Sequence, residues 1–358
     1  MNIAVIGGGI NGVMTAWELL KTGHQVALFE KDQVMKQTSS SSSKLLHGGL
    51  RYLENFEFRL VKEALAERKW WIEQAPHLAH PLKIYIPVSK NGRRSALVYK
   101  LGLWLYDLLA GNKNLGKHQS LTLQQFKQLC PELNSTGLVK GFSYYDGQMD
   151  DCQLGLWALQ QAQSLTGLRL QENTEVISIS EDGQLIYLDN NHKQSVVFDR
   201  VINVAGPWTE QLLRESGVKN DYTLDLIRGS HLLIDKKIDS GYFLEIPKES
   251  RIFFVLPYQG QMLIGTTEQR QTLDESIEPS ADEIDYLINS YNHYFSVNIS
   301  QKDVVQTFAG LRPLIKSSKD PSKVTREYAI QKNKKIITVF GGKWTTSRQL
   351  AKKVVEYI

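Results

Sequence analysis

The chain opens on an unbroken apolar run, Ile3-Ala4-Val5-Ile6, breaks at Gly7-Gly8-Gly9, and resumes as a spaced apolar pattern over residues 13–21 before a second run, Val26-Ala27-Leu28-Phe29. Short continuous apolar runs bounded by turn residues predict strands buried on both faces, and the spaced pattern between them predicts a helix. The N-terminal segment is therefore expected to be a β-α-β unit. Helical patterning returns over 58–74, where Leu60, Ala64, Leu65 and Trp71 are interleaved with charges, and over 281–295. Strands are expected at 174–179 and at Val201-Ile202-Asn203-Val204, which ends in Ala205-Gly206. The runs 230–234, 251–257 and 261–265, separated by turn residues, predict an antiparallel sheet. The last 23 residues read as strand (336–340), glycine turn (Gly341-Gly342) and helix (345–357). The serine run at 38–43 has the composition of a linker, but it leads into Lys44-Leu45-Leu46-His47-Gly48-Gly49 and is read as a binding loop.

Segments of nucleotide-domain character lie at both ends and in the middle of the chain. The predicted class is α/β: a Rossmann-like dinucleotide domain (1–80, 146–220 and 305–358) interleaved with a mixed or antiparallel β-sheet substrate domain (81–145 and 221–304). With 358 residues, 42% of them hydrophobic, a large core is available. The net charge of +4 comes from 42 basic and 38 acidic residues without a long block of one sign, which argues against a nucleic-acid partner. Two cysteines, Cys130 and Cys152, have no metal-ligand spacing and suit a reducing cytoplasm. A strand beginning at Asn2 leaves no room for a signal peptide, and no segment reaches the ~18 apolar residues of a spanning helix. The expected location is the cytoplasm, including the inner face of the cell membrane. Peripheral contact is suggested by the aromatic, apolar stretch 97–106, flanked by Arg93, Arg94, Lys113 and Lys117. A buried helix with ordinary surface cations is the alternative.

Gly7, Gly9 and Gly12 satisfy G-x-G-x-x-G after a strand and at the opening of a helix, and Glu30 closes the second strand. In that context the motif predicts dinucleotide binding. Gly7 makes the tight turn, Gly9 admits the pyrophosphate to the backbone, and Gly12 allows helix–sheet contact, while Glu30 accepts from ribose hydroxyls. The absence of a second strand-flanked motif for a nicotinamide partner, together with later glycine turns at Ala205-Gly206 and Gly341-Gly342, favours FAD over NAD.

Several stretches together resemble the FAD-dependent glycerol-3-phosphate dehydrogenase and oxidase family. These are SSSSSKLLHGGLRYLE (39–54), YDGQMDDCQL (145–154), Ala205-Gly206-Pro207-Trp208, Arg228-Gly229-Ser230-His231, FVLPY with LIGTT (254–258 and 263–267), AGLRP (309–313), TREY (325–328) and FGGKWTT (340–346). They run in the family's order across the whole chain. Members of that family usually continue past the last glycine motif into a C-terminal helical domain, whereas this sequence stops at Ile358.

The resemblance implies oxidation of sn-glycerol 3-phosphate to dihydroxyacetone phosphate, with a quinone, oxygen or another acceptor taking the electrons. It implies cofactor contacts at Gly7, Gly9, Ile10, Asn11, Gly12, Glu30, Lys31, Ser42, Ser43, Lys44, Leu45, His47, Gly48, Gly49, Val176, Ala205, Gly206, Gly310, Gly342, Lys343 and Thr345. A phosphate dianion calls for several cationic donors, and Arg51, Tyr52, Arg312, Arg326 and Lys343 are the expected substrate residues. His231, Arg312 and Lys343 are the expected catalytic set. His231 is either the general base or a hydrogen-bonded core histidine, and His47 either touches the flavin or shapes its loop. Asp150 and Asp151 are expected to cap the helix that follows rather than to act as acid and base. Two other functions fit the same residues: a flavin enzyme for another polyol phosphate, hydroxy acid or amino acid, and a flavin-bound scaffold without turnover.

Overall fold

The computed structural model of the chain describes residues 1–316 and 328–358. The N-terminal β-α-β unit forms as expected, with strands Asn2–Ile6 and Gln25–Phe29 joined by the helix Ile10–Lys21. These strands lie in a six-stranded sheet of order Tyr328–Asn333, Ile336–Gly341, Arg200–Asn203, Asn2–Ile6, Gln25–Phe29 and Leu168–Gln171. All neighbours are parallel except the terminal hairpin.

Alternation along the first strand explains its unbroken hydrophobicity. Ile3 and Val5 pack with Val13, Met14, Leu154, Ala158, Leu350 and Val354 beneath a layer of helices. Ala4 and Ile6 pack on the other face with Phe29, Ile179, Leu185 and Phe198, under a three-stranded antiparallel meander made of Glu175–Ile179, Gln184–Asp189 and His192–Val197. A strand covered on both faces has no position for a polar residue, and each fully buried aliphatic side chain contributes ~1.5–3 kcal/mol.

The second sheet has ten strands, and its core path includes Leu224–Ile234, Gln261–Gly265, Ile252–Tyr258, Gly241–Glu245, Ala79–Ser89 and Leu138–Met149. It is antiparallel except where Gly241 and Tyr242 run parallel to Ile84 and Tyr85, so the expected mixed sheet is present. The strand 230–234 extends back to Leu224. It pairs over that length with Val304–Ile315, which carries the AGLRP motif. We propose the domain division read from the sequence with one change: the strand Val304–Ile315 goes to the substrate side, because its ladder belongs to the large sheet.

The helix Ala96–Ala110 is buried along one face only. Its inner face, Tyr99, Leu103, Tyr106 and Ala110, is buried, while Leu97, Leu101, Trp104 and Leu108 form an apolar stripe along its outer face. Of the expected basic flank, Arg94 is buried in ion pairs with Glu54 and Glu245 and is not available to a surface.

Candidate active site

The glycine turn is built for close approach of another group. Gly7 sits at φ +108°, a region that L side chains rarely adopt, and a Cβ there would lie 2.7 Å from the Val204 carbonyl oxygen. A Cβ on Gly12 would overlap the Gly7 carbonyl oxygen, so the helix starts directly against the turn. Gly9 caps that helix without a side-chain hydrogen bond, and the Ile10 amide donates to Ser39 Oγ at 2.9 Å. Glu30 is buried and accepts from the amides of Gly8 (2.6 Å) and Asp32 (2.9 Å), which holds its carboxylate against the turn. Beside it the Lys31 ammonium lies 3.6 Å from the centroid of the Trp208 ring, its pKa lowered mainly by burial. Thr174, next to the strand that carries Val176, donates its amide to the Glu30 carbonyl. Bare backbone at a helix N-terminus with an acid at the end of the second strand fits a dinucleotide.

From this turn a cavity of about 660 Å³ runs between the two sheets, within the size range of small-molecule sites. Asn11, Ser42, Ser43, Leu45, His47, Gly49, Gly206, Gly310, Gly342 and Thr345 line it, and so do Arg51, Tyr52, His231, Arg312 and Lys343. Fifteen of the expected site residues, drawn from six separate stretches of chain, therefore face one space. Asn11 Oδ1 is buried there without a hydrogen-bond partner. Gly310 abuts the serine loop, where a Cβ would stand 2.7 Å from the Ser41 carbonyl oxygen.

Arg312 Nη2 donates to the Thr267 carbonyl at 2.8 Å, Nη1 lies 3.8 Å from Glu268 Oε1, and the guanidinium passes over Gly229. Lys343 Nζ is 4.0 Å from the centroid of the Tyr52 ring, a cation–π contact that ties the last glycine loop to the 3-10 helix Leu50–Asn55 carrying Arg51. Arg326 lies outside the described residues, and of the TREY stretch only Tyr328 is within them.

His231 is buried and also lines the cavity, a position open to either of the roles considered for it. Its ring stacks on Phe308 at 4.9 Å and 13°, leans on Gly265, and places Nε2 2.9 Å from Ser43 Oγ. Burial first, then the positive charges of Arg312 and Lys44, push its pKa down to about 3. The imidazole is therefore neutral at physiological pH.

Two carboxylates that the sequence reading did not place among the site residues hold the loops in position. Asp150 caps the helix Asp151–Gln163 as expected, accepting from the Gln153 amide. Asp151 has a different role: fully buried, it takes Lys44 Nζ at 2.7 Å, the Ser42 hydroxyl at 2.6 Å and the Ser42 amide at 3.1 Å. Burial raises its pKa against the pull of Lys44. The clamp holds Lys44 at φ +57°, an unusual conformation for a lysine. Asp146, also buried, accepts from Arg68 Nη1 (2.9 Å), the Gly48 amide (3.1 Å) and the Tyr106 hydroxyl (3.0 Å). Gly48 is thereby a backbone anchor behind the cavity wall. Gly48, Lys44, Gly7, Gly9, Ile10, Gly12, Glu30, Lys31, Val176 and Ala205 do not line the cavity. The first two brace it, and Gly7, Gly9, Ile10, Gly12, Glu30 and Lys31 belong to the glycine-turn end. The signal for Asp146 was present in the YDGQMDD stretch, but nothing in one dimension pairs it with Arg68.

The profile of a family described as FAD dependent oxidoreductase matches residues 2–356. The chain is 35% identical to a glycerol-3-phosphate dehydrogenase of Pseudomonas tolaasii over 99% of its own length and 70% of that protein's. It is 37% identical to the D-erythritol 1-phosphate dehydrogenase of Brucella abortus (strain 2308), over 98% and 72%. Its fold superposes with a TM-score of 0.78 on the glycerol-3-phosphate dehydrogenase of Bacillus halodurans complexed with FAD, at 25% identity, spanning all of this chain and 64% of that one.

Proposed function

From the premise that the chain belongs to the FAD-dependent oxidoreductase family and is a glycerol-3-phosphate dehydrogenase-like flavoenzyme, we propose that it oxidises the secondary alcohol of sn-glycerol 3-phosphate to dihydroxyacetone phosphate. The observation that carries this reading is the convergence of Arg51, Arg312 and Lys343 with a neutral, buried His231 on one cavity. Three cations suit a phosphate dianion, and the planar fork of arginine matches its oxygens. Bound FAD supplies the hydride acceptor, and this chain's residues do the rest. Asn11, Ser42, Ser43, the glycine turns at 206 and 342 and the strand glycine Gly310 would hold the cofactor edge. The cations fix the substrate by its phosphate, and His231 receives the hydroxyl proton. A dianion placed against Arg312 offsets one of the charges that depress the imidazole, so His231 becomes a stronger base once substrate is bound.

A second reading is oxidation of a longer polyol phosphate, favoured by the 37% identity to the erythritol-phosphate enzyme and by extension of the cavity to Arg93, Arg94 and Glu54. Anaerobic titration with each phosphate, following loss of the oxidised-flavin absorbance, separates the two readings. Bleaching by glycerol 3-phosphate at lower concentration than by erythritol phosphate is the expected result. A bound flavin that neither compound reduces would refute both.

Among the described residues no helix is long and apolar enough to cross a membrane. We infer that the stripe Leu97, Leu101, Trp104 and Leu108, with the exposed Phe56 and Phe58 nearby and Lys100, Lys113 and Lys117 around it, rests on the inner face of the cell membrane. A quinone is then the acceptor we favour over oxygen.

A further inference from the structure

We propose that Ser43 is a catalytic proton relay, passing the substrate's hydroxyl proton to His231; this rests on the oxidation proposed above. Three observations carry it. Ser43 and His231 both face the cavity, and Ser43 Oγ lies 2.9 Å from His231 Nε2, within the reach of direct proton transfer. The imidazole has no freedom to swing toward a substrate, because Phe308 covers one face and Gly265 presses on its edge, where any Cβ would strike the ring. The serine is held from behind by its neighbours. Asp151 grips the residues on both sides of it, Ser42 and Lys44, and Lys44 Nζ also donates to the Ser40 carbonyl at 2.7 Å.

A fixed, buried base whose accessible nitrogen is already occupied by a hydroxyl reaches the substrate through that hydroxyl. In the step, the substrate O–H bond breaks and its proton passes to Ser43 Oγ as the Ser43 proton passes to Nε2. The carbon's hydride leaves with the bonding electron pair to the flavin, the carbon–oxygen double bond forms, and His231 ends as imidazolium. Nε2 must begin as the acceptor, with the ring proton on Nδ1. Nδ1 is buried with no hydrogen-bond partner among the described residues, and a backbone contact with Gly229 favours the protonated ring. The charged groups facing this pair are Arg312, with Glu268 beside it, and Lys44, with Asp151 behind it.

The test is stopped-flow reduction of the FAD-loaded enzyme by glycerol 3-phosphate, with Ser43→Ala and Ser43→Thr compared after their flavin content is matched to wild type. The relay predicts that Ser43→Ala slows reduction roughly 10²-fold, while Ser43→Thr, which keeps the hydroxyl, recovers most of the rate. In wild type, the dependence of the rate on the deuterium fraction of the solvent should be curved, because two protons move together. Equal loss in both variants, a Ser43→Ala rate equal to wild type, or a linear dependence in wild type would overturn it. Wild-type flavin that stays oxidised with glycerol 3-phosphate would instead refute the function proposed for the site, and the two failures are thus distinguishable.

Discussion

Replacing Asp146 with alanine isolates the buried clamp behind the cavity. Arg68 is fully buried, and among the described residues Asp146 supplies its only carboxylate partner, at 2.9 Å; its bonds to the Tyr145 and Lys113 carbonyls are longer at 3.2 Å, and its Nε has no partner among those residues. Asp146→Ala leaves a guanidinium without its counter-charge and the Tyr106 hydroxyl without its carboxylate acceptor, while the Gly48 amide keeps only its 2.9 Å bond to the Tyr106 oxygen. Removing one member of a buried pair costs ~3–5 kcal/mol. With an unfolding entropy of ~2.1 cal/mol/K per residue, this chain length converts that loss to a fall in Tm of about 4–7 °C. Because Gly48 anchors the loop leading to Arg51 and Tyr52, FAD should also bind more weakly, and the stabilisation by added FAD should shrink. Differential scanning calorimetry at fixed FAD, run on Asp146→Ala, Arg68→Met and the double variant, measures both effects. The double variant should be less destabilised than the sum of the singles, since it carries no orphaned charge. An Asp146→Ala Tm within ~1 °C of wild type, or strictly additive losses, would refute the argument.

His231, depressed to about 3 from an ordinary value near 6.5, is neutral in the folded protein while the unfolded chain takes up a proton below ~6.5. The stability it contributes is therefore complete above that pH and is lost as pH falls toward 3. His231→Asn should flatten the acid limb of a Tm-against-pH curve, and an unchanged limb would count against the assignment. The pH profiles of flavin reduction should show the base limb at higher pH for kcat than for kcat/KM, since bound phosphate offsets Arg312; coincident limbs would contradict that coupling. Arg312→Lys should raise KM for glycerol 3-phosphate roughly 10-fold or more through loss of the planar fork, and an unaltered KM in steady-state assays would remove Arg312 from the phosphate site. Leu101→Asp with Trp104→Asp should abolish co-sedimentation with anionic vesicles while leaving flavin reduction by substrate intact, and retained binding would show that another face meets lipid.

The amino-acid sequence by itself determined the β-α-β start, the glycine turn with Glu30, the antiparallel sheet and its approximate strands, because each depends on local periodicity or on a backbone conformation open to few residues. Through a family resemblance it also put forward Arg51, His231, Arg312 and Lys343 as candidates for phosphate and proton chemistry. Tertiary structure decided which of these groups meet. The ladder between Leu224–Ile234 and Val304–Ile315 places Arg312 opposite Ile227, and it sets His231 against Phe308. The bonds from Asp151 to Ser42 and Lys44, and from Asp146 to Arg68 and Gly48, link residues 78 to 109 positions apart. No periodicity signals such a pairing, because a buried carboxylate reads in sequence like any surface acid until folding removes its water. The same holds for the helix Ala96–Ala110: its apolar residues were legible, but only packing separated the face that enters the core from the face left outside.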